Sequence, residues 1–137
     1  MPVIRRGEPG DLTEVAAIQA CSPQAGQWDS SDYLRYDFWV ALCDGRVAGF
    51  LVSRPLGAGE AELLNLVVAP AYRRRNIARQ LLGPLLKLDS VVYLEVRESN
   101  EAARSLYKSL GFKEISVRSA YYHAPPESAI VMKFHSC

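Results

Sequence analysis

Between Val91 and Phe112 the chain runs from a strand pattern directly into a helix pattern, with stop signals at both ends of the helix. That stretch constrains the fold more than any other. Alternation makes Val91 to Val96 a buried strand, placing Tyr93, Glu95 and Arg97 on one face and Val92, Leu94 and Val96 on the other. Ser99 or Asn100 caps a helix whose inner stripe is Ala103, Leu106, Tyr107 and Leu110. Gly111 is its stop, and Phe112 can fold back on the last turn.

The rest of the chain supplies more strands and helices in alternation. Val3 to Arg6 reads as a short strand. Pro9-Gly10-Asp11 opens a helix with Asp11 as N-cap and Leu12, Val15, Ala16 and Ile18 as inner face. A short helix from about Ser30 to Tyr36 follows. Phe38 to Cys43 and Arg46 to Ser53 flank Asp44-Gly45, a pair suited to the positive φ angles of a two-residue hairpin turn. Glu60 to Val68 reads as a strand buried on both faces. Ile77, Leu81, Leu82, Leu85 and Leu86 recur at helical spacing over about Arg75 to Leu88, where Pro84 removes a backbone donor and predicts a kink. Lys113 to Ala120 and Ser128 to Phe134 complete the set, joined by a loop containing Tyr121 and Tyr122. The expected architecture is a single α/β (α+β) domain over 1–137. Its order is β-α-α-β-β-β-α-β-α-β-β, with helices flanking a central mixed, mostly antiparallel sheet.

Composition narrows the function classes. With 16 basic and 15 acidic residues, no general nucleic-acid or membrane-surface binder is expected. The longest apolar runs fall short of a membrane span, and Met1 to Arg6 lacks the apolar stretch of a signal peptide. Cys21, Cys43 and Cys137 lack metal-ligand spacing, so free thiols, no metal and a cytoplasmic location are expected.

Two groups of residues carry chemistry. The run Tyr72-Arg73-Arg74-Arg75-Asn76-Ile77-Ala78-Arg79 sits where a strand gives way to a helix. The first amides of a helix lack internal partners and carry the positive end of its dipole, so this run suits an anion such as a pyrophosphate. A solvated basic face and an RNA-contacting patch are the other readings. Glu95 is a carboxylate among apolar neighbours, where lost hydration favours the neutral form and suits a general base. It could equally be a strand-end acid paired with Arg97. Tyr107 lies on a buried stripe as core or as a proton donor, and Asn100 reads as a cap or as a ligand-gripping amide.

Together these segments resemble the GNAT superfamily of acetyl-CoA-dependent N-acetyltransferases, in particular its ribosomal-protein N-alpha-acetyltransferase branch. Asn65-Leu66-Val67-Val68-Ala69-Pro70 with Arg73 to Ala78 looks like the cofactor motif, with Asn76 where the family usually has glycine. Glu95-Val96-Arg97-x-Ser99-Asn100-x-x-Ala103-x-x-Leu106-Tyr107-x-x-Leu110-Gly111-Phe112 looks like the second motif. Tyr121-Tyr122 and Glu127-x-Ala129-Ile130-Val131-Met132 resemble the branch's C-terminal signature, with His123 and Ser128 as departures. The resemblance implies that backbone groups of Leu66, Val67 and Val68 hold the pantetheine arm. It places the pyrophosphate on Arg73, Arg74, Arg75, Asn76, Ile77, Ala78 and Arg79, with Asn100 also at the cofactor. Glu95 becomes the general base and Tyr107 the general acid, while Trp28, Tyr121 and Tyr122 flank the acceptor. Acetyl-CoA and a protein N-terminus, a lysine or a small amine are the implied partners, without nucleic acid or membrane, for a monomer or weak homodimer.

Overall fold

The computed structural model describes residues 2–123 and 126–136, with the side chains of 120, 122, 123 and 126 outside the described set. The elements are β1 (Val3–Arg6), α1 (Leu12–Ala20), β2 (Asp37–Cys43), β3 (Arg46–Gly57), β4 (Glu60–Val68), α2 (Ile77–Leu88), β5 (Val91–Arg97), α3 (Glu101–Ser109), β6 (Lys113–His123) and β7 (Pro126–His135). Three short 3-10 turns, Pro9–Asp11, Ser30–Arg35 and Pro70–Tyr72, punctuate them, and the second occupies the place expected for a short helix. The strands form one sheet in the order β1-β2-β3-β4-β5-β7-β6. Among the described residues, no helix is long and apolar enough to cross a membrane.

The chain divides into two compact units, Met1–Arg54 with Leu63–Leu88, and Pro55–Glu62 with Asp89–Cys137. In the first unit the hairpin at Asp44-Gly45 forms as the sequence predicts, with φ of 52° and 78° at its two central residues. It joins β2 to β3 in antiparallel register, Cys43 opposite Arg46 and Asp37 opposite Ser53, with a bulge between Ala41 and Leu42. Val15, Ile18, Tyr33, Phe38, Val40, Val47, Phe50, Val52 and Val67 form a continuous apolar core. Burying each such side chain stabilises the fold by roughly 1.5–3 kcal/mol.

Several expectations change here. Asp11 does not cap α1 through its side chain. Its carboxylate turns inward and accepts from both guanidinium nitrogens of Arg5, at 2.8 and 3.0 Å, and from the Glu8 amide at 2.8 Å. Ala16 is exposed, and Gln19 completes the buried face of α1. The upper face of β4 is only half-buried, because burial alternates strictly along the strand: Ala61, Leu63, Asn65 and Val67 are covered while Leu64, Leu66 and Val68 are partly so. Helix α2 continues through Pro84, but only Ile77, Leu81 and Leu82 are fully buried, so its last turn contributes less than the sequence stripe suggests.

In the second unit β5 pairs antiparallel with β7, Glu95 opposite Val131, and β7 pairs antiparallel with β6. Strand β6 runs through Tyr121 to His123, beyond the end expected at Ala120. Glu127 opposite Tyr122 and residue 126 opposite 123 extend the ladder, so these tyrosines belong to a strand and not to a loop. Helix α3 closes as expected. Gly111 takes φ of 104°, its amide donates to the Lys108 carbonyl at 3.1 Å, and the Phe112 amide donates to the Tyr107 carbonyl at 3.0 Å. This is a Schellman closure, with the Phe112 ring packed edge-on against Tyr107 at 5.4 Å between centroids.

Candidate functional site

The basic turn lies between the end of β4 and the start of α2. Arg74 and Asn76 have φ of 66° and 60°, in the left-handed region that side-chain-bearing residues rarely enter. Asn is among the residues that tolerate this conformation, whereas Arg74 holds it at a cost, and backbone strain of this kind collects at functional sites. Alternating-handed backbone of this kind turns successive N–H groups toward one point and makes an anion seat. The Gln80 amide donates the first turn's bond to the Asn76 carbonyl at 3.1 Å, so the amides of Ile77 and Ala78 precede the helical ladder. The donor chemistry here, guanidinium groups around a helix start, fits a pyrophosphate.

Arg73 behaves differently from its neighbours. Its Nε donates to the Val68 carbonyl at 3.2 Å and its Nη2 contacts Ser22 Oγ at 3.4 Å. That guanidinium ties the end of β4 to the loop after α1. Arg75 stacks over the Tyr72 ring at 5.4 Å. The end of β4 is itself pressed against β3. A Cβ on Gly49 would lie 2.8 Å from the Val67 carbonyl oxygen, and the Ala69 amide donates to the Ala48 carbonyl at 2.8 Å.

Glu95 projects from the half-buried face of β5, opposite to Val92, Leu94 and Val96, which form the buried face. It pairs with Arg118. Arg97 lies 3.5 Å from Glu127, whereas Arg118 Nη1 donates to Glu95 Oε1 at 2.5 Å. The Arg118 guanidinium also stands over the Tyr121 ring at 4.4 Å, so β5 and β6 bring Glu95, Arg118 and Tyr121 together. The Glu95 carboxylate is the largest influence holding the Tyr121 phenol above its ordinary pKa, followed by partial burial; Arg118 opposes it. Glu62 adds a further negative charge acting on both Arg118 and Tyr121. Neither Arg118 nor Glu62 carries a local sign in the sequence, because each stands on a different strand from Glu95. The Tyr122 side chain lies outside the described set.

Tyr107 is buried, and burial pushes its phenol well above the usual tyrosine range. A phenol held neutral in this way can donate a proton and resists losing it prematurely. Asn100 is an N-cap: its Oδ1 accepts from the Ala103 amide at 3.2 Å. The capping bond uses the amide oxygen, and the amide nitrogen is the group that can donate to a ligand. Glu127 fixes the turn before it, accepting from the Ser99 amide at 2.7 Å.

Trp28 belongs to the first unit, with an exposed indole. The sequence did not reveal its supports. Gln19, Tyr33 and Asn65 are buried polar side chains, and Gln19 Nε2 donates to the Trp28 carbonyl at 2.6 Å.

Comparison with known proteins gives these features a context. The model of the acetyltransferase (GNAT) family matches residues 12–112. A [ribosomal protein bS18]-alanine N-acetyltransferase of Salmonella typhimurium is 41% identical over 105 residues, covering 72% of this chain and 70% of that protein. An uncharacterized protein of Mycobacterium leprae is 45% identical over 76 residues, covering 54% of this chain, and the match spans only 21% of that longer protein. The crystal structure of the ribosomal-protein-S18-alanine N-acetyltransferase from Escherichia coli superimposes with a TM-score of 0.83 at 32% identity, covering 98% of this chain and 94% of that one. The chain belongs to the acetyltransferase (GNAT) family and is an N-acetyltransferase.

Proposed function

We propose that this chain transfers the acetyl group of acetyl-CoA to the α-amine of a protein N-terminus, of the kind named for its Salmonella relative. The observation that carries the reading is the left-handed turn at Arg74 and Asn76, opening a helix directly after β4. It is a basic, backbone-lined seat for the pyrophosphate of coenzyme A. Arg74, Arg75, Ile77, Ala78 and Arg79 hold that group in this reading. Arg73 serves by fixing the Val68 end of β4, and backbone groups of Leu66, Val67 and Val68 line the pantetheine arm. Asn100 donates to the cofactor from its amide nitrogen. Acetyl-CoA supplies an activated acyl carbon.

An amine is protonated near neutral pH and must lose a proton before it can attack. Glu95 takes that proton, directly or through water. Its carboxylate accepts from Arg118, so the negative charge of Glu95 attracts the incoming ammonium while the guanidinium beside it opposes that approach. Tyr107 supplies a proton to the departing thiolate, and burial keeps that proton on the phenol until it is needed. Trp28, Tyr121 and Tyr122 flank the acceptor. Proton transfers of this kind contribute typically 10²–10⁴-fold each. A cytoplasmic location, where acetyl-CoA and nascent chains are both available, goes with this activity.

The test is release of free thiol from acetyl-CoA over a panel of peptides beginning with Ala, Ser, Met or Gly, set beside lysine peptides and polyamines. Alanine-initiated peptides are expected to give the highest kcat/KM, and Glu95→Gln and Tyr107→Phe to lower kcat by roughly 10²-fold or more. Unchanged kcat in both variants would refute the assigned roles, and preference for a small amine would refute the acceptor.

A further inference from the structure

Between α1 and the first long strand the chain makes an irregular loop, residues 22–29, that ends at Trp28 and Asp29. Loops of this length are usually held by their own backbone bonds or left loose. Here three buried side chains from distant positions converge on it. Gln19, on α1, is 6% exposed; Tyr33 is 1% exposed; Asn65, in the middle of β4, is 6% exposed. The Tyr33 hydroxyl donates to Gln19 Oε1. Asn65 Nδ2 reaches the Tyr33 hydroxyl at 3.1 Å and Gln19 Oε1 at 3.3 Å.

The outer end of this network grips the loop backbone on both sides of residue 27. Asn65 Nδ2 donates to the Gly26 carbonyl at 3.0 Å, and Gln19 Nε2 to the Trp28 carbonyl at 2.6 Å. Gln27 then turns back, and its Nε2 lies 3.1 Å from the carbonyls of Gln19 and Ser22. The indole rests against Gly26 so closely that a Cβ there would lie 2.4 Å from Trp28 Nε1. The result is an indole 42% exposed on a backbone fixed by buried amides. An apolar core at these three positions would have been simpler to build, since buried polar groups are costly unless fully paired.

We propose that Gln19, Tyr33 and Asn65 are positioning residues for the acceptor, acting through Trp28. They hold the indole as a preformed face against which the first residues of the acceptor peptide pack. Asn65 therefore works inside the first unit, although it stands in the motif associated with the cofactor. This rests on the reading of Trp28 as an acceptor-flanking residue. Pre-organising a contact surface lowers the ordering cost on binding, so its loss appears in the affinity for the acceptor.

The experiment uses Tyr33→Phe, which deletes one hydroxyl, and Asn65→Leu, which removes the amide at similar size. Both are made in the full chain and also in a Trp39→Phe background, where Trp28 is the remaining tryptophan. The acceptor KM with an alanine-initiated peptide is expected to rise ~5-fold or more while the acetyl-CoA KM stays within about twofold. Trp28 emission anisotropy falls in the same variants. Trp28→Ala raises the acceptor KM similarly and adds little on top of Asn65→Leu. Unchanged anisotropy, or equal rises in both KM values, overturns the inference. If anisotropy falls but neither the network variants nor Trp28→Ala move the acceptor KM, the network holds the loop and the reading of Trp28 is what fails. Should Asn65→Leu not fold, Tyr33→Phe decides.

Discussion

Arg118 reaches across from β6 to donate to Glu95 on β5 at 2.5 Å, and its guanidinium covers the ring of Tyr121. One cation thus links a carboxylate and a phenol, and it lowers the phenol's pKa where the carboxylate raises it. Because the Glu95 carboxylate is the largest cause of the raised Tyr121 pKa, its removal has a definite sign. In Glu95→Gln the phenol loses a neighbouring negative charge, its tyrosinate form becomes easier to make, and its pKa falls toward the ordinary value. Ultraviolet titration of Glu95→Gln against the parent, each differenced with a Tyr121→Phe partner, measures this. A rise would contradict the geometry.

The strained turn before α2 predicts a trade between stability and binding. Arg74→Gly relieves a left-handed side-chain-bearing residue and is expected to stabilise the fold by up to ~1 kcal/mol. It also deletes a guanidinium from the pyrophosphate seat, so the KM for acetyl-CoA rises. Asn76→Gly keeps the backbone geometry and leaves that KM unchanged or lower, whereas Asn76→Ala costs roughly 1 kcal/mol. Urea unfolding and steady-state kinetics on the three variants separate these effects.

Gly49 supports the end of β4 through close contact. A methyl group there would lie 2.8 Å from the Val67 carbonyl oxygen and 3.3 Å from Val68 Cα, both backbone atoms with little room to move. Gly49→Ala is expected to destabilise by about 1–3 kcal/mol, as overpacking does, with a lower midpoint in urea. Gly10→Ala is the control, since nothing lies within 4 Å of its Cβ position.

Acid stability follows from Asp11. Its hydrogen bond to Arg5, ahead of that to the Glu8 amide, holds the carboxyl below the ordinary aspartate range, against the opposing effect of burial. A depressed folded-state pKa gives stability that is fully present above the unfolded value of about 3.9 and is lost as pH falls through the folded value. Asp11→Asn should therefore lower stability at neutral pH and flatten its decline below about pH 4. Parallel curves for the two proteins across that range would remove Asp11 from the account.

What could be read from the sequence was whatever is decided within a few residues. The Asp44-Gly45 turn and both ends of α3 depend on neighbours in the chain, and Asn100, Gly111 and Phe112 do there what their residue types favour. The buried polar network was not legible, because Gln19 and Asn65 are 46 positions apart and each, seen alone, is an ordinary polar residue. Arg118 was missed for the same reason: it reaches Glu95 from β6, with β7 between the two strands, and Arg97 looked the nearer candidate. Asp11 carried a local signal that a stronger, longer-range partner overrode, since Arg5 on β1 offers it two charge-assisted bonds where a cap offers one.

The closure of α3 uses the carbonyl of the same residue whose phenol is assigned the proton-donating role. The interval from Tyr107 to Phe112 therefore has a fixed length. Inserting or deleting one residue there would unthread the helix stop and swing the phenol about the helix axis in a single event. A drifting lineage can change the surface of α3 freely, but it inherits this spacing whole or loses it whole.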